Sequence, residues 1–133
     1  MTTENAIDIC EVAARVLREA GIDAQARPLS AVDGKDGVVV RLMPSVTRRT
    51  YMDGRRLLDC RVQVVAKSLD EYAAMDECER AARALCSEAL ESGNGSYEAC
   101  GLAEQDGDVE RLAVGTDRRH VWAVRVVAKI IRR

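Results

Sequence analysis

Residue types that commonly do chemistry are sparse in this chain of 133 residues. Its single histidine, His120, opens an alternating apolar run, so any hydrolase triad or histidine metal site would have to be built on it. No nucleophile or carboxylate stands near it in a recognisable pattern, and it reads as an ordinary strand-edge residue without acid–base machinery. The chain has no G-x-S-x-G, Walker-type or G-x-G-x-x-G motif. Gly93-Asn94-Gly95 follows a helical pattern, whereas a phosphate-cradling loop must precede one. Asp53, Asp59, Asp106 and Asp108 carry suitable oxygens for a metal, but Asp106-Gly107-Asp108 lacks the graded ligands of a calcium loop. The five cysteines, at 10, 60, 78, 86 and 100, form no C-x-x-C pair and are odd in number. Cys10, Cys60, Cys78 and Cys86 fall in helix or strand patterns, where a reduced thiol packs as a small core residue. The expectation is a protein without a catalytic site, metal or cofactor.

The local concentration of chemistry is basic. Arg48 and Arg49, then Arg55 and Arg56, flank Tyr51-Met52-Asp53-Gly54 in a connection between two strand patterns. Arginine and tyrosine combine contact area with directional hydrogen bonds, so this hairpin suits the anchoring of a partner protein. A solvated polar loop is the plain alternative, and a DNA-facing role a weaker one. Twenty basic residues against 22 acidic ones give a net charge of −2, which argues against a general nucleic-acid binder, and no sequence-specific nucleic acid is expected.

Several elements must position that hairpin. Ala6, Ile9, Cys10, Ala13, Val16, Leu17 and Ala20 share one helical face, predicting a helix over 3–20 that Gly21 ends. Residues 26–30 suit only a short edge strand, because Pro28 has no amide hydrogen. The β-branched run from Val38 to Met43, stopped by Pro44, predicts a strand, and Ser45 to Gly54 follows as a polar, basic connection. Alternation from Arg56 to Lys67 predicts a long strand. Ser68 with Glu71 reads as a capping box opening a helix to about Ser92, on whose apolar face lie Leu69, Tyr72, Met75, Ala82, Leu85, Cys86 and Ala89. The breakers from Ser92 to Ser96 make a turn, a strand is expected over 97–104, and 105–119 has no clear assignment.

The last strand is the plainest pattern. His120, Trp122, Val124, Val126, Ala128 and Ile130 lie on one face; Val121, Ala123, Val127 and Ile131 on the other alternate with Arg125 and Lys129. Two helices cannot cover both faces of a sheet, so these four residues await either a neighbouring subunit or the long acidic segment folding over them. The expected fold is a single α+β domain over 1–133, a mainly antiparallel sheet of four to five strands with two helices packed on one face. With 47% hydrophobic and 32% charged residues it is an ordinary globular composition, and no apolar run approaches the ~20 residues of a membrane span. Met1 to Asn5 carry no positive charge, so a signal peptide is not expected and the cytoplasm is the expected place of synthesis and folding.

Much of the chain resembles a known family. The strand VVVRLMPS, the basic loop closing in YMDG, the strand LLDCRVQVVAKS, the helix opening SLDEYAAMDECERAARAL, then SGNGSYE and HVWAVRVVAKI are similar to the small tail-terminator and minor tail (minor capsid) proteins of long-tailed phages and prophages. The chain departs from the pattern in lacking phenylalanine and in carrying Met52 where the family often has a second aromatic. The resemblance implies a non-enzymatic subunit of a homo-oligomeric ring, expected to be hexameric. Such a ring caps the tail tube at the head–tail junction of a virion, with the tail-tube protein and head–tail connector proteins as partners. It would be assembled in a bacterial host cytoplasm, with no membrane partner. The protein-interaction residues would be Arg48, Arg49, Tyr51, Arg55 and Arg56 on the hairpin and Val121, Ala123, Val127 and Ile131 on the last strand. The alternative is a small ferredoxin-like regulatory or ligand-binding domain acting as a dimer. The basic hairpin and the two-faced last strand favour the ring, and an enzyme ranks third for want of any nucleophile–base arrangement.

Overall fold

The computed structural model describes residues 6–26, 36–114 and 118–132. The first helix, α1, spans Ile9–Glu19 and buries Ile9, Val12, Ala13, Ala14, Val16 and Leu17. It stops where Gly21 and Ile22 donate their amides to the carbonyls of Arg18 and Leu17 (3.1 and 2.9 Å), leaving Ile22 packed in the core beside the helix end. Of the helix expected over 3–20, residues 3–5 lie outside the described residues and 6–8 precede the helix, with Asp8 at the N-cap position. Strand β1, Ala24–Gln25, pairs in parallel with β2, Gly37–Leu42. The strand expected over 26–30 lies almost wholly outside the described residues.

Two long hairpins make up the rest of the sheet. In the first, β2 and then β3, Val46–Thr50, run antiparallel to β4, Arg56–Ser68, with Pro44 in the break between β2 and β3. The basic connection expected over Ser45–Gly54 is thus mostly a paired strand, and only 51–55 form the turn. Helix α2, Glu71–Leu85, crosses to the second hairpin. There β5 (Glu98–Ala99), β6 (Glu104–Gln105) and β7 (Glu110–Val114) line one side of β8 (His120–Arg132) in succession, all antiparallel to it. The strand expected over 97–104 is cut short at Gly101, and the unassigned 105–119 contributes β7. Gly101 and Gly107 sit in the breaks with φ of 88° and 82°, a backbone region that side chains disfavour.

The strands β4 and β8 pair along their whole length from Arg56↔Arg132 to Ser68↔His120 and form the spine of the sheet. Among the described residues the result is a mixed sheet of eight strands with two helices, not four to five strands. The undercount arises because β1, β5 and β6 have two residues each and β3 and β7 are exposed throughout, so none has a periodicity to read. Alternation decides the faces. Val38, Val40, Leu58, Cys60, Val62, Val64, Ala66, Val124, Val126, Ala128 and Ile130 pack against α1 and α2 in the main core. Their neighbours Val39, Val65, Val121 and Ala123 point the other way and form a second, smaller cluster on the helix-free face.

Helix α2 begins differently from the capping box expected at Ser68 and Glu71. Asp70 is the N-cap, its carboxylate accepting the Tyr72 amide at 3.0 Å, and Ser68 Oγ accepts the Asp70 amide at 3.1 Å. The helix also ends at Leu85, well before Ser92. Ser87 Oγ donates to the Ala84 carbonyl at 2.7 Å, and Leu90 turns back into the core, where its carbonyl accepts the Tyr97 hydroxyl.

Candidate interaction surface

The tip of the first hairpin is held by its own side chains. The Tyr51 amide donates to the Arg55 carbonyl at 2.7 Å and the Gly54 amide to the Tyr51 carbonyl at 3.0 Å, closing the turn. Asp53 pairs with Arg55 at 2.7 Å, and the Arg55 guanidinium stands 5.6 Å from the centre of the Tyr51 ring, within cation–π range. Met52 projects fully into solvent beside them. On β3, Arg48 Nε donates to Asp59 Oδ2 at 2.5 Å across a bulge in the β3–β4 pairing. Asp59 is 7% exposed and its other oxygen has no hydrogen-bond partner among the described residues, so Arg48 is what compensates a largely buried carboxylate. Of the five hairpin residues singled out from sequence, Arg48 and Arg55 thus make ion pairs within the chain, whereas Arg49 is exposed on the open edge.

The structure divides the four outward residues of β8. Val127 and Ile131 are half-buried on the helix-free face near the hairpin, and Ile131 shares a row with Leu57 and Arg49. Val121 and Ala123 are 6% and 1% exposed and belong to the second cluster. They are therefore not available as surface, which corrects the expectation of one continuous patch. At ~3.3 Å per residue, Val121 also lies roughly 33 Å along β8 from Ile131. Within the acidic segment, β7 pairs beside them, Glu110 with Ala123 and Ala113 with Val121. Leu57 and Val46, which sequence reading passed over, complete the apolar side of the hairpin's helix-free face, Val46 standing opposite Asp59. For Leu57, alternation with Leu58 along β4 is the available signal; β3, exposed throughout, offers none for Val46.

Polar contacts continue along the same face. Arg41 donates to Gln63 Oε1 at 2.5 Å, and Arg61 lies 3.7 Å from Asp106. His120, at the start of β8, has its Nδ1 3.8 Å from Glu71, beyond hydrogen-bond reach. Among the described residues no three His, Cys, Asp or Glu side chains converge on a metal-sized site. The groove lined by Met75, Glu79, Arg83, Gln105, Asp108 and Val109, with a volume of about 330 Å³, is about as polar as apolar and lacks the predominantly apolar lining of a small-molecule site. Among the described residues, no helix is long and apolar enough to cross a membrane.

No protein-family model and no curated protein sequence matches the chain. Among solved structures, its fold is similar to that of a chain in the virion of a native gene transfer agent (GTA) particle. The TM-score is 0.52 at 14% identity, with 90% of this chain and 84% of that chain covered. At that identity the likeness is one of fold, and it extends over nearly the whole of both chains.

Proposed function

We propose that this protein is a structural subunit of a phage-type particle, a tail-terminator or head–tail joining protein that closes into a ring and caps the tail tube. The observation that carries the reading is the fold shared, end to end, with a chain of a virion particle. The sequence resemblance to tail-terminator and minor tail proteins supports it independently. So does the surface: an exposed hairpin bearing Arg49, Tyr51, Met52, Arg55 and Arg56 beside the half-buried Leu57, Val127 and Ile131 suits contact with protein. A tail-tube protein and connector proteins are the partners proposed, and the virion its location.

Co-sedimentation with tail tubes from the same source tests the reading. The protein should pellet with tubes at a low, saturable ratio set by the number of tube ends. Under electron microscopy, density should appear at one end only. Protein that stays in the supernatant at all ratios, or decorates the tube sides without saturation, contradicts it.

A further inference from the structure

At the hairpin end of the sheet, one row of cross-strand neighbours runs Arg49, Leu57, Ile131, Glu98. It begins on an exposed base and ends on an exposed acid. The two edges differ in charge along their length. Between 41 and 56 five arginines stand against the single Asp53, and between 98 and 112 five carboxylates stand against the single Arg111. Among the described residues, β3 pairs only with β4 and β5 only with β8, so each has a side whose backbone groups have no strand beside them.

We propose that the occupant of each edge is a second copy of this chain, with β3 of one subunit adding to β5 of the next so that Arg49 meets Glu98. This rests on the ring reading above and names its interface. Direction favours the join. The strands β3, β4, β8 and β5 alternate in direction, so a copy set with its strands pointing the same way presents β5 antiparallel to β3. Like edges repel: β3 against β3 sets Arg48 and Arg49 against their counterparts, and β5 against β5 sets Glu98 against Glu98. A two-fold edge dimer is therefore disfavoured. What remains is a head-to-tail contact between unlike edges, which on repetition closes a ring or runs on. The bulge at Arg48 twists the edge, so an arbitrary strand fits it less well than a matched one.

A charge swap tests this, with association followed by light scattering over a concentration series, with and without tail tubes, and folding followed by thermal melts. R49E and E98R should each need at least about tenfold more protein to associate, and the double variant R49E/E98R should return to the wild-type curve. If either reversal lowers the melting temperature, R49Q and E98Q replace it, and each should still weaken association. Wild-type association in all single variants overturns the edge pairing and leaves the ring standing. Failure of the double variant to recover also counts against this pair. Absence of association by the wild-type protein, with or without tubes, overturns the ring and the edge pairing together.

Discussion

Asp8 shows how one carboxylate can organise distant chain. It accepts from Ser92 Oγ at 2.8 Å, Gly93 N at 2.9 Å, and Asn94 N and Ser96 Oγ at 3.1 Å, tying the start of α1 to the turn that follows α2. Burial pushes the Asp8 carboxyl up, but the bonds from Ser92, Gly93, Ser96 and Asn94 together outweigh it and hold it below its ordinary value of 3.8. Asp8→Asn keeps the shape and one acceptor but loses the charge, and should cost about 1–2 kcal/mol of unfolding free energy in urea. The lowered carboxyl binds fewer protons than in the unfolded chain. Its contribution is therefore fully present above pH ~4 and lost as pH falls through the folded value, where variant and wild type should converge. A gap between them that stays constant down to pH ~3 would rule out this role. A second residue-scale outcome concerns the thiols. Burial, only partly offset by a hydrogen bond with the Ala66 backbone, pushes Cys78 up to about 12, and burial likewise raises Cys60, whereas Cys100 is exposed. Thiol reagents at neutral pH should modify Cys100 first, and Cys60 and Cys78 only on unfolding. Alternation along the strand places Cys60 in the core, whereas Cys78 is expected there only as a reduced thiol within a helix pattern and is absent from the apolar face read for that helix. Sequence reading had no means of seeing Asp8, whose partners lie 84 to 88 residues away.

At the scale of elements, the hairpin separates what holds the fold from what is presented outward. Replacing Arg49, Arg55 and Arg56 together by serine should leave the urea midpoint nearly unchanged, since exposed pairs such as Asp53–Arg55 contribute ~0–1 kcal/mol. Arg48→Ser alone should cost about 1–3 kcal/mol, because it leaves the Asp59 carboxylate buried without a partner. Equal costs for the two variants would show that Arg48 has no special place. Long periodic elements are legible in the sequence: α1, β2, β4 and β8 announce themselves by apolar spacing, and α2 is legible as a helix. Its buried face, however, is Ala74, Cys78, Ala81, Ala82 and Leu85, while Leu69 and Tyr72, expected on it, are exposed. The other elements are not legible. Strand β3, V-T-R-R-T, has every residue exposed and so lacks alternation, and it exists because β4 offers an edge to pair with. The ends of α2 were misread because Asp70 competed successfully with Ser68 for the cap, and Ser87 and Leu90 draw the chain away from the helix axis.

For the whole molecule, segregation of charge matters more than its sum. A net of −2 hides a basic edge and an acidic edge on opposite sides of one sheet. Such an arrangement favours repeated head-to-tail contact over a two-fold pair. The candidate surface was half legible from the sequence. The arginines and Tyr51 stand out by composition, but whether Val121, Ala123, Val127 and Ile131 were one patch depended on the buried neighbours of each, and Val39 and Val65 enclose the first two. On the function proposed, copies of this chain join in a closed ring. Electron microscopy of the protein, concentrated or bound to tail tubes, tests it through the rotational symmetry of two-dimensional class averages. Closed six-fold rings with one repeated contact are the predicted result. A population of two-fold dimers, or single subunits that never close, would contradict it.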